Sequence, residues 1–272
     1  MDSDQMAQDS SASDESPVNI SFRKASGSKW PVVLIHGWCG DHSFMSEQFS
    51  HYAPADHTVV ALDLRGHGKS DKPELPYTMQ AFADDIALLL ADLQIRQPIL
   101  IGHGMGGIVA FEIGMRYPHL AAAAVMLDSA MVLPDSETAR APELLSALKA
   151  EDYRETLRDY ADDLLFLPTD DPIRKERLID VMTGTPQHVM VSCLEDLQSY
   201  DPAAHGIELP VPCLYLSTRE PCPNREMARF GAVAPHMIYG KTVGSGHFCQ
   251  LEIPTQVNTM VDRFLTLALR QA

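Results

Sequence analysis

The sequence predicts an α/β fold built around a mainly parallel, doubly wound sheet. Continuous apolar runs at 31–35, 58–62 and 98–101 have the character of strands that are buried on both faces. Patterns with helical periodicity separate these runs, and this strand–helix order favours parallel strands with helices on both faces of the sheet. Polar helical segments interrupt the alternation once, from about residue 133 to residue 206. We therefore expect an α/β core with one helical insertion.

The first half of the core follows this alternation closely. It opens with Val18–Phe22, which has the pattern of a short edge strand. One helix begins after Thr78, a residue type that caps helix N-termini. Its apolar side chains form one stripe, made of Phe82, Ile86, Leu89, Leu90 and Leu93. The other elements predicted here are strands Pro31–Ile35, Thr58–Leu62, Pro98–Ile101 and Ala122–Leu127, and helices Met79–Leu93 and from Met105 onwards.

The second half of the chain completes the sheet after the insertion. Prolines at 168, 172 and 186 break the insertion into short helical segments. The strand rhythm then returns at 212–216 and 236–239, and an amphipathic helix follows at Thr255–Leu269. We divide the chain into an acidic tail at 1–17 that we expect to be disordered, an α/β core at 18–132 and 207–272, and the helical insertion at 133–206.

Composition restricts the partners and the compartment. The 272 residues carry a net charge of −16, which nucleic acid and anionic membranes would repel. No run approaches the ~18 apolar residues of a membrane span, and the acidic N-terminus lacks the apolar segment of a signal peptide. The number of cysteines, five, is odd, and their spacing is not that of metal ligands, so we interpret them as reduced thiols. We expect a soluble cytoplasmic protein with a small-molecule substrate, and no metal, nucleic-acid or membrane partner; the sequence does not predict its oligomeric state.

The segment Gly102–Gly107 has the pattern of a sharp turn between a strand and a helix. A buried-strand run precedes it, and Ile108–Glu112 after it has a helical pattern. In a G-x-S-x-G turn of this kind, the central serine stands at the tip of a strained turn beside backbone N–H donors. Here the central residue is Gly104, which has no side chain to attack a substrate. Glycine adopts a positive φ freely, so the replacement should preserve the fold.

Five short motifs occur at intervals along the chain. They are His36-Gly37-Trp38, Asp63–Ser70, Gly102–Gly107, Leu127-Asp128-Ser129 and Gly244–Phe248. In this order they resemble the landmarks of the α/β-hydrolase superfamily, and the resemblance covers about residues 18–270. It implies an α/β-hydrolase fold, a lid in the place of the insertion at 133–206, and a catalytic serine, histidine and acid. Gly104 occupies the position of the serine.

His247 is the predicted catalytic base. It lies among glycines after the last predicted strand, where its imidazole can face Gly104. Such a base needs a carboxylate to hold its tautomer, and two strand ends that face the same crevice supply one each: Asp128 and Glu220. Glu220 is at the more usual position in the family but has Arg219 beside it, whereas some cofactor-free dioxygenases and hydrolases of the superfamily use the position of Asp128. We favour Asp128 and keep Glu220 open.

The backbone N–H groups of Met105 and Trp38 are the predicted oxyanion donors. The family uses the N–H after the nucleophile and one from the loop that follows the first central strand, which here ends at His36-Gly37. These donors are independent of the missing side chain. Trp38 is also a candidate wall of the pocket, and His36 is interpreted as a structural residue that bonds to loops.

Other polar residues near the turn are weaker candidates. His67 is interpreted as structural, and His103 should point back into the sheet, as the residue before the tip of such a turn normally does. Cys39, Ser129 and Ser245 are alternative nucleophiles, but none lies where the Met105 N–H would receive the product.

Three functions are compatible with these residues. The first is a hydrolase of a small apolar or aromatic carbonyl compound (an ester, amide, lactone or carbon–carbon bond) that has lost its nucleophile. The second is a serine-free enzyme in which His247 acts on water, or on a substrate proton in a cofactor-free ring-cleaving dioxygenase, which Gly37-Trp38-Cys39 also resembles. The third is a non-catalytic ligand-binding protein. We rank them hydrolase, oxygenase, binding protein, and expect no cofactor. Four apolar residues of the insertion either contact an apolar ligand or form its own core: Leu164, Leu165, Phe166 and Met182.

Overall fold

The computed structural model describes residues 18–129, 131, 135–218 and 224–269. The tail at 1–17 that we expected to be disordered lies outside the described residues. Within them, the strands are β1 Phe22–Ala25, β2 Lys29–Ile35, β3 His57–Leu62, β4 Ile99–His103, β5 Ala123–Leu127, β6 Cys213–Ser217 and β7 Ile238–Lys241. The helices are α1 Ser46–Tyr52, α2 Met79–Asp92, α3 Met105–Arg116, α4 Asp135–Leu148, α5 Tyr153–Leu164, α6 Pro172–Thr183, α7 Gln187–Ser199, α8 Asn224–Val233, α9 Cys249–Glu252 and α10 Pro254–Ala268.

The strands form one sheet, which is parallel apart from its first edge strand. The order in the described part of the chain is β1-β3-β2-β4-β5-β6-β7. Strand β1 pairs with β3 in the antiparallel sense, and the other pairs are parallel. The carboxyl ends of β2, β4, β5 and β6 therefore meet at one edge of the sheet, which is where α/β proteins bind ligands. The prediction of a mainly parallel α/β sheet is confirmed.

The first strand begins later than the sequence pattern suggested. The alternation of Val18–Phe22 predicted a strand there, but β1 starts only at Phe22. The residues before it bond to the loop after β3: the Asn19 N–H donates to Asp71 Oδ2 at 2.9 Å, and the Ser21 N–H donates to Ser70 Oγ at 2.8 Å. Polar side chains of that loop replace a neighbouring strand as hydrogen-bond acceptors, so the prediction was wrong by about four residues.

Helices cover both faces of the sheet and form two separate cores. Residues Val33 and Ile35 of β2 face the cluster that contains α2, α3 and α8. Their neighbours Val32 and Leu34 face the cluster that contains α1 and α10. Because strand side chains alternate between faces, an unbroken apolar run is the sequence signature of a strand covered on both sides.

Helices α4–α7 form an inserted region between β5 and β6. Its apolar side chains make a third cluster together with residues from turns of the α/β core, among them Cys39, Phe44 and Phe248. Residues 132–134, at the predicted start of the insertion, lie outside the described residues, and the exact domain boundaries remain predictions. Among the helices that the structure describes, none has the length and apolar character needed to cross a membrane.

Candidate active site

The tight turn between β4 and α3 requires glycine at two of its positions. A Cβ on Gly102 would lie 2.0 Å from the carbonyl oxygen of Gly106, and one on Gly106 would lie 2.4 Å from the carbonyl oxygen of Ile35. Gly104 is different: its backbone has φ +53° and ψ −121°, but a Cβ there would make only ordinary van der Waals contacts. A Cβ there would meet Cε1 and Nε2 of His247 at an ordinary 3.4 Å. The absence of a side chain at this position is therefore not required by packing.

His247 and Asp128 form a hydrogen-bonded pair beside this turn. Asp128 immediately follows β5, and its Oδ2 lies 2.8 Å from Nδ1 of His247. Its Oδ1 accepts hydrogen bonds from the backbone N–H of Thr218, at 3.0 Å, and from the Thr218 hydroxyl, at 2.8 Å. Burial alone would raise the pKa of Asp128, but the hydrogen bonds from His247 and Thr218 outweigh it and lower that pKa.

The tautomer of His247 follows from this pairing. A carboxylate accepts hydrogen bonds, so Nδ1 of His247 carries the proton that it donates to Asp128. Nε2 of the neutral ring is then an unprotonated nitrogen, and it lies 3.4 Å from the position that a Cβ on Gly104 would occupy. The side chains of His247 and Asp128 are 19% and 8% exposed, so the imidazole remains partly accessible to solvent.

His103 lies directly beneath His247. Its ring centroid is 4.4 Å from that of His247, and its Nε2 is 2.9 Å from the backbone carbonyl oxygen of His247. Burial first, and then the nearby charge of His247, lower the pKa of His103 to about 3. The ring is therefore neutral at ordinary pH and donates its Nε2 proton to the His247 carbonyl, which ties the histidine loop to the end of β4.

The predicted oxyanion donors lie at the end of β2 and the start of α3. Met105 is the first residue of α3, and the first N–H groups of a helix have no partner within it. Gly37, in the turn that continues to Trp38, brings its Cα to 3.8 Å from the Cβ position of Gly104. The indole N–H of Trp38 donates to the carbonyl of Met190 in α7 at 3.2 Å. Trp38 thereby joins this turn to the inserted region.

Both ring nitrogens of His36 bond to the backbone. Its Nδ1 donates to the carbonyl of Gly37 at 2.8 Å, and its Nε2 accepts from the N–H of Leu64 at 3.0 Å. His36 has no exposed surface, and burial lowers its pKa. The ring therefore has no free nitrogen to offer a substrate, and it braces the turn that contains Gly37.

The alternative nucleophiles are buried and engaged elsewhere. Burial raises the pKa of the Cys39 thiol well above its ordinary value, which disfavours the thiolate. The hydroxyl of Ser129 donates to the Leu127 carbonyl at 3.3 Å, and that of Ser245 pairs with Thr242 at 2.8 Å. Glu220, the second candidate acid, lies outside the described residues. Among the described residues, no three His, Cys, Asp or Glu side chains group together as a metal site.

A cleft of about 640 Å³ lies between the inserted region and the loop that carries His247. On one side it is lined by Leu164, Leu165, Phe166 and Leu167, and on the other by Thr218 and residues 241–247. Met182 does not line it and packs in the core of the inserted region. Leu165 and Phe166 line the cleft and also belong to that core, so both roles that the sequence allowed stay predictions for them.

Two polar residues of this region were missed by sequence reasoning. Thr218 supports Asp128 with two hydrogen bonds, and Glu252 accepts the N–H of Gly246 at 2.9 Å. Thr218 directly follows the end of β6, so its position at the crevice was a usable signal. Glu252 follows His247 by five residues, and no local pattern connects its carboxylate to the histidine loop.

Comparison with known proteins supports the same architecture. The model of a family described as the alpha/beta hydrolase family matches residues 32–259. An uncharacterized protein of Mycobacterium tuberculosis is 31% identical over an alignment of 138 positions, which covers 45% of this chain and 38% of that protein. The chain thus matches well under two thirds of the length of this relative.

Two solved structures are similar along nearly the whole chain. An esterase from Thermogutta terrifontis has a TM-score of 0.79 at 22% identity and covers 92% of this chain and 94% of its own. The enol-lactonase from Burkholderia xenovorans has a TM-score of 0.81 at 20% identity, with coverages of 92% and 97%. At these identities the likeness concerns the fold.

Proposed function

The chain belongs to the alpha/beta hydrolase family, and from this premise we propose that it hydrolyses a small apolar or aromatic carbonyl compound without a covalent intermediate. The observation that carries the proposal is the arrangement of His247, whose Nδ1 is 2.8 Å from Asp128 and whose Nε2 is 3.4 Å from the Cβ position of Gly104. A polarised base beside an empty nucleophile position is suited to activating water. In this proposal Gly104 occupies the family's serine position.

In the proposed reaction, a water molecule takes the place of the missing hydroxyl. His247 Nε2 removes a proton from this water as its oxygen attacks the carbonyl carbon of the substrate. Asp128 stabilises the imidazolium that forms, as the acid of a catalytic triad does. The leaving group then departs with the proton returned by His247, so the base is regenerated. No bond to the protein forms at any step.

The negative charge on the substrate oxygen requires hydrogen-bond donors. The N–H groups of Met105, at the start of α3, and of Trp38, in the turn after β2, would supply them. Each donor of this kind is worth about 3–4 kcal/mol of transition-state stabilisation in mutational tests. Because these donors belong to the backbone, replacing serine with glycine leaves them in place. The site therefore retains its electrostatic contribution while it lacks the covalent one.

The substrate class is proposed from the cleft that borders His247, whose lining includes neither Gly104 nor the two oxyanion donors. The cleft beside His247 is bordered by Leu164, Leu165 and Phe166 of the inserted region. Apolar walls with a few polar groups are typical of sites for small organic ligands. The esterase and the enol-lactonase of similar fold act, by their names, on esters and an enol lactone. We therefore place esters and lactones with an apolar or aromatic group first among the substrates.

Hydrolysis in ¹⁸O-labelled water with and without His247 tests this proposal. A panel of aryl esters and lactones is incubated with the wild-type protein and with His247→Ala. We expect turnover that His247→Ala reduces by about 10²–10⁴-fold, the usual contribution of general base catalysis. We also expect one labelled oxygen per product acid in a single turnover, and no covalent labelling by a phosphonate. Turnover that is indifferent to His247→Ala, or a trapped acyl-enzyme, would overturn it.

A second candidate is a cofactor-free dioxygenase that cleaves a hydroxylated heteroaromatic ring. The observation that favours it is the pairing of His247 with Asp128, at the end of β5, without a nucleophile beside it. Such a reaction needs a base to deprotonate the ring hydroxyl and a site that stabilises the resulting anion. Oxygen uptake with a hydroxyquinolone, lost in His247→Ala, would support this candidate over hydrolysis. Saturable ligand binding without turnover in either assay would instead favour a binding protein.

A further inference from the structure

The inserted region contacts the core directly beside His247. The ring of Phe166 stacks on that of Phe248, with centroids 5.0 Å apart. A Cβ on Gly246 would lie 3.2 Å from Cγ of Leu167 and 3.3 Å from Oε1 of Glu252. The residue before the histidine is thus enclosed between the inserted region on one side and Glu252 on the other. Movement of either wall would be transmitted to the histidine loop.

Glu252 bonds to this loop with one carboxyl oxygen and leaves the other without a donor. Its Oε2 accepts the backbone N–H of Gly246 at 2.9 Å. Its Oε1 is buried and receives no hydrogen bond from the described residues. A buried acceptor without a donor is costly, so such an atom in a folded protein calls for a physical explanation.

The explanation is a second carboxyl group on the inserted region. Asp170 is a neighbour of the Glu252 carboxyl group and raises its pKa. Its Oδ2 accepts the N–H of Leu167 at 2.7 Å, and its Oδ1 is 3.6 Å from Nη2 of Arg174. Both oxygens of Asp170 therefore already face donors within the inserted region. A hydrogen bond between two carboxyl groups requires one proton, and a proton on Oε1 of Glu252 satisfies both groups.

We propose that Glu252 is a positioning residue for His247 and that the proton it shares with Asp170 fastens the inserted region to the histidine loop. Glu252 holds Gly246 from the core, and Asp170 holds Glu252 from the inserted region. Arg174 strengthens the same contact, since its Nη1 donates to the carbonyl of Leu251 at 3.2 Å. The catalytic consequence rests on the proposed function of His247, whereas the contact itself does not.

The charges around Glu252 make this contact dependent on pH. Burial raises the pKa of Glu252, and neighbouring Asp170 raises it further. The Gly246 N–H and Arg174 act in the opposite direction, but the net effect is a raised pKa. Cys249, on the same short helix, is buried as a neutral thiol whose pKa is raised. When a contact raises the pKa of an acid, low pH favours the state in which that contact is formed. The contact therefore weakens as the pH rises from the ordinary pKa of glutamate through the raised one.

Native-state hydrogen exchange and the NMR titration of the His247 ring test the proposal. The proteins are the wild type, Glu252→Gln, Glu252→Ala and, as a control, Asp92→Asn, which removes an exposed carboxylate at the end of α2. Glutamine keeps an acceptor for Gly246 and a donor for Asp170 but does not titrate. Alanine removes both hydrogen bonds.

We expect the protection factors of the Gly246 and Leu167 amides in the wild type to fall with rising pH, by up to about tenfold per pH unit within that window. In Glu252→Gln they should not change with pH, and the His247 ring signal should match that of the wild type at low pH. In Glu252→Ala protection should be low throughout and the ring signal shifted; Asp92→Asn should behave as the wild type.

The same pH dependence in Glu252→Gln as in the wild type would overturn the proposal. The proposal would also be overturned if the His247 ring signal of Glu252→Gln resembled that of Glu252→Ala instead of that of the wild type. If Glu252→Ala does not fold, the comparison of Glu252→Gln with the wild type still decides the question. These readouts need no substrate, so the absence of hydrolysis would count against the proposed function and leave this inference standing.

Discussion

A Cβ atom on Gly104 would lie 3.4 Å from Nε2 of His247. This is ordinary van der Waals contact, so a small side chain fits without displacing the imidazole. The backbone of Gly104, at φ +53°, is nevertheless strained for any residue with a Cβ. The histidine is held on its other nitrogen by Asp128. The ring of His247 is thus held on one nitrogen by Asp128 and lies with the other against the Cβ position of Gly104.

Gly104→Ser should create a nucleophile at this position. We expect aryl ester hydrolysis to rise by several orders of magnitude, since losing the nucleophile of a serine hydrolase costs about 10⁶ in kcat. A phosphonate should label residue 104. The free energy of unfolding should fall by about 1 kcal/mol, because positive φ is unfavourable with a Cβ. Gly104→Ala is the control, with the same strain and no hydroxyl; equal rates in the two variants would contradict the prediction.

Asp128→Asn should cost far more activity than Glu220→Gln. An amide at residue 128 stabilises the wrong tautomer of His247, and the corresponding change in a catalytic triad lowers kcat by about 10⁴. Both variants are measured on aryl ester hydrolysis in the Gly104→Ser background. Thr218→Val, which removes the 2.8 Å hydrogen bond from the Thr218 hydroxyl to Asp128, should have an effect of about tenfold or less. A large loss in Glu220→Gln alone would transfer the role of the acid to Glu220.

The buried ring of His67 should make the fold less stable in acid. Burial, and then the neighbouring His36, lower the pKa of His67 to about 3. Between that value and the ordinary pKa of 6.5, the unfolded chain binds a proton that the folded chain does not. The contribution of neutral His67 to the free energy of unfolding is complete above pH 6.5. It declines by up to about 1.4 kcal/mol per pH unit as the pH falls below that value.

Urea denaturation between pH 4 and 7 measures this effect. The stability of His67→Gln should depend less steeply on pH than that of the wild type, whereas the exposed His119→Gln should match the wild type. An unchanged slope in His67→Gln would show that another group carries the acid sensitivity.

Tyr200→Phe should loosen the contact between the end of the inserted region and α3. The Tyr200 hydroxyl donates to Oε2 of Glu112 at 2.8 Å, and Nε2 of His205 contacts the same oxygen at 2.9 Å. Glu112 has no exposed surface, so losing a donor leaves its charge less satisfied. We expect a loss of about 1.5–3 kcal/mol in the free energy of unfolding, the usual value for a hydrogen bond to a charged group. Tyr239→Phe, at an exposed residue, should lose little; equal losses would indicate a general effect of removing a hydroxyl.

Local signals were sufficient for most of the fold. The helix predicted at Met79–Leu93 is α2, Met79–Asp92, and the Thr78 hydroxyl accepts the N–H of Ala81 as a helix cap does. The strand predicted at Thr58–Leu62 is β3, His57–Leu62. The strand expected at 236–239 lies two residues later, as β7. Strand ends depend on the neighbouring strand, which a single-chain pattern does not contain.

The sequence by itself determined the architecture and the position of the glycine turn, because apolar periodicity and glycine spacing are local properties of the chain. Only the tertiary structure decided that Asp128 hydrogen-bonds to His247, 119 residues away, and that both ring nitrogens of His36 bond to the backbone. Likewise, Phe166 stacks on Phe248 only because the inserted region packs against the histidine loop. Contacts between distant segments depend on how strands and helices are arranged in space, and no local pattern encodes them.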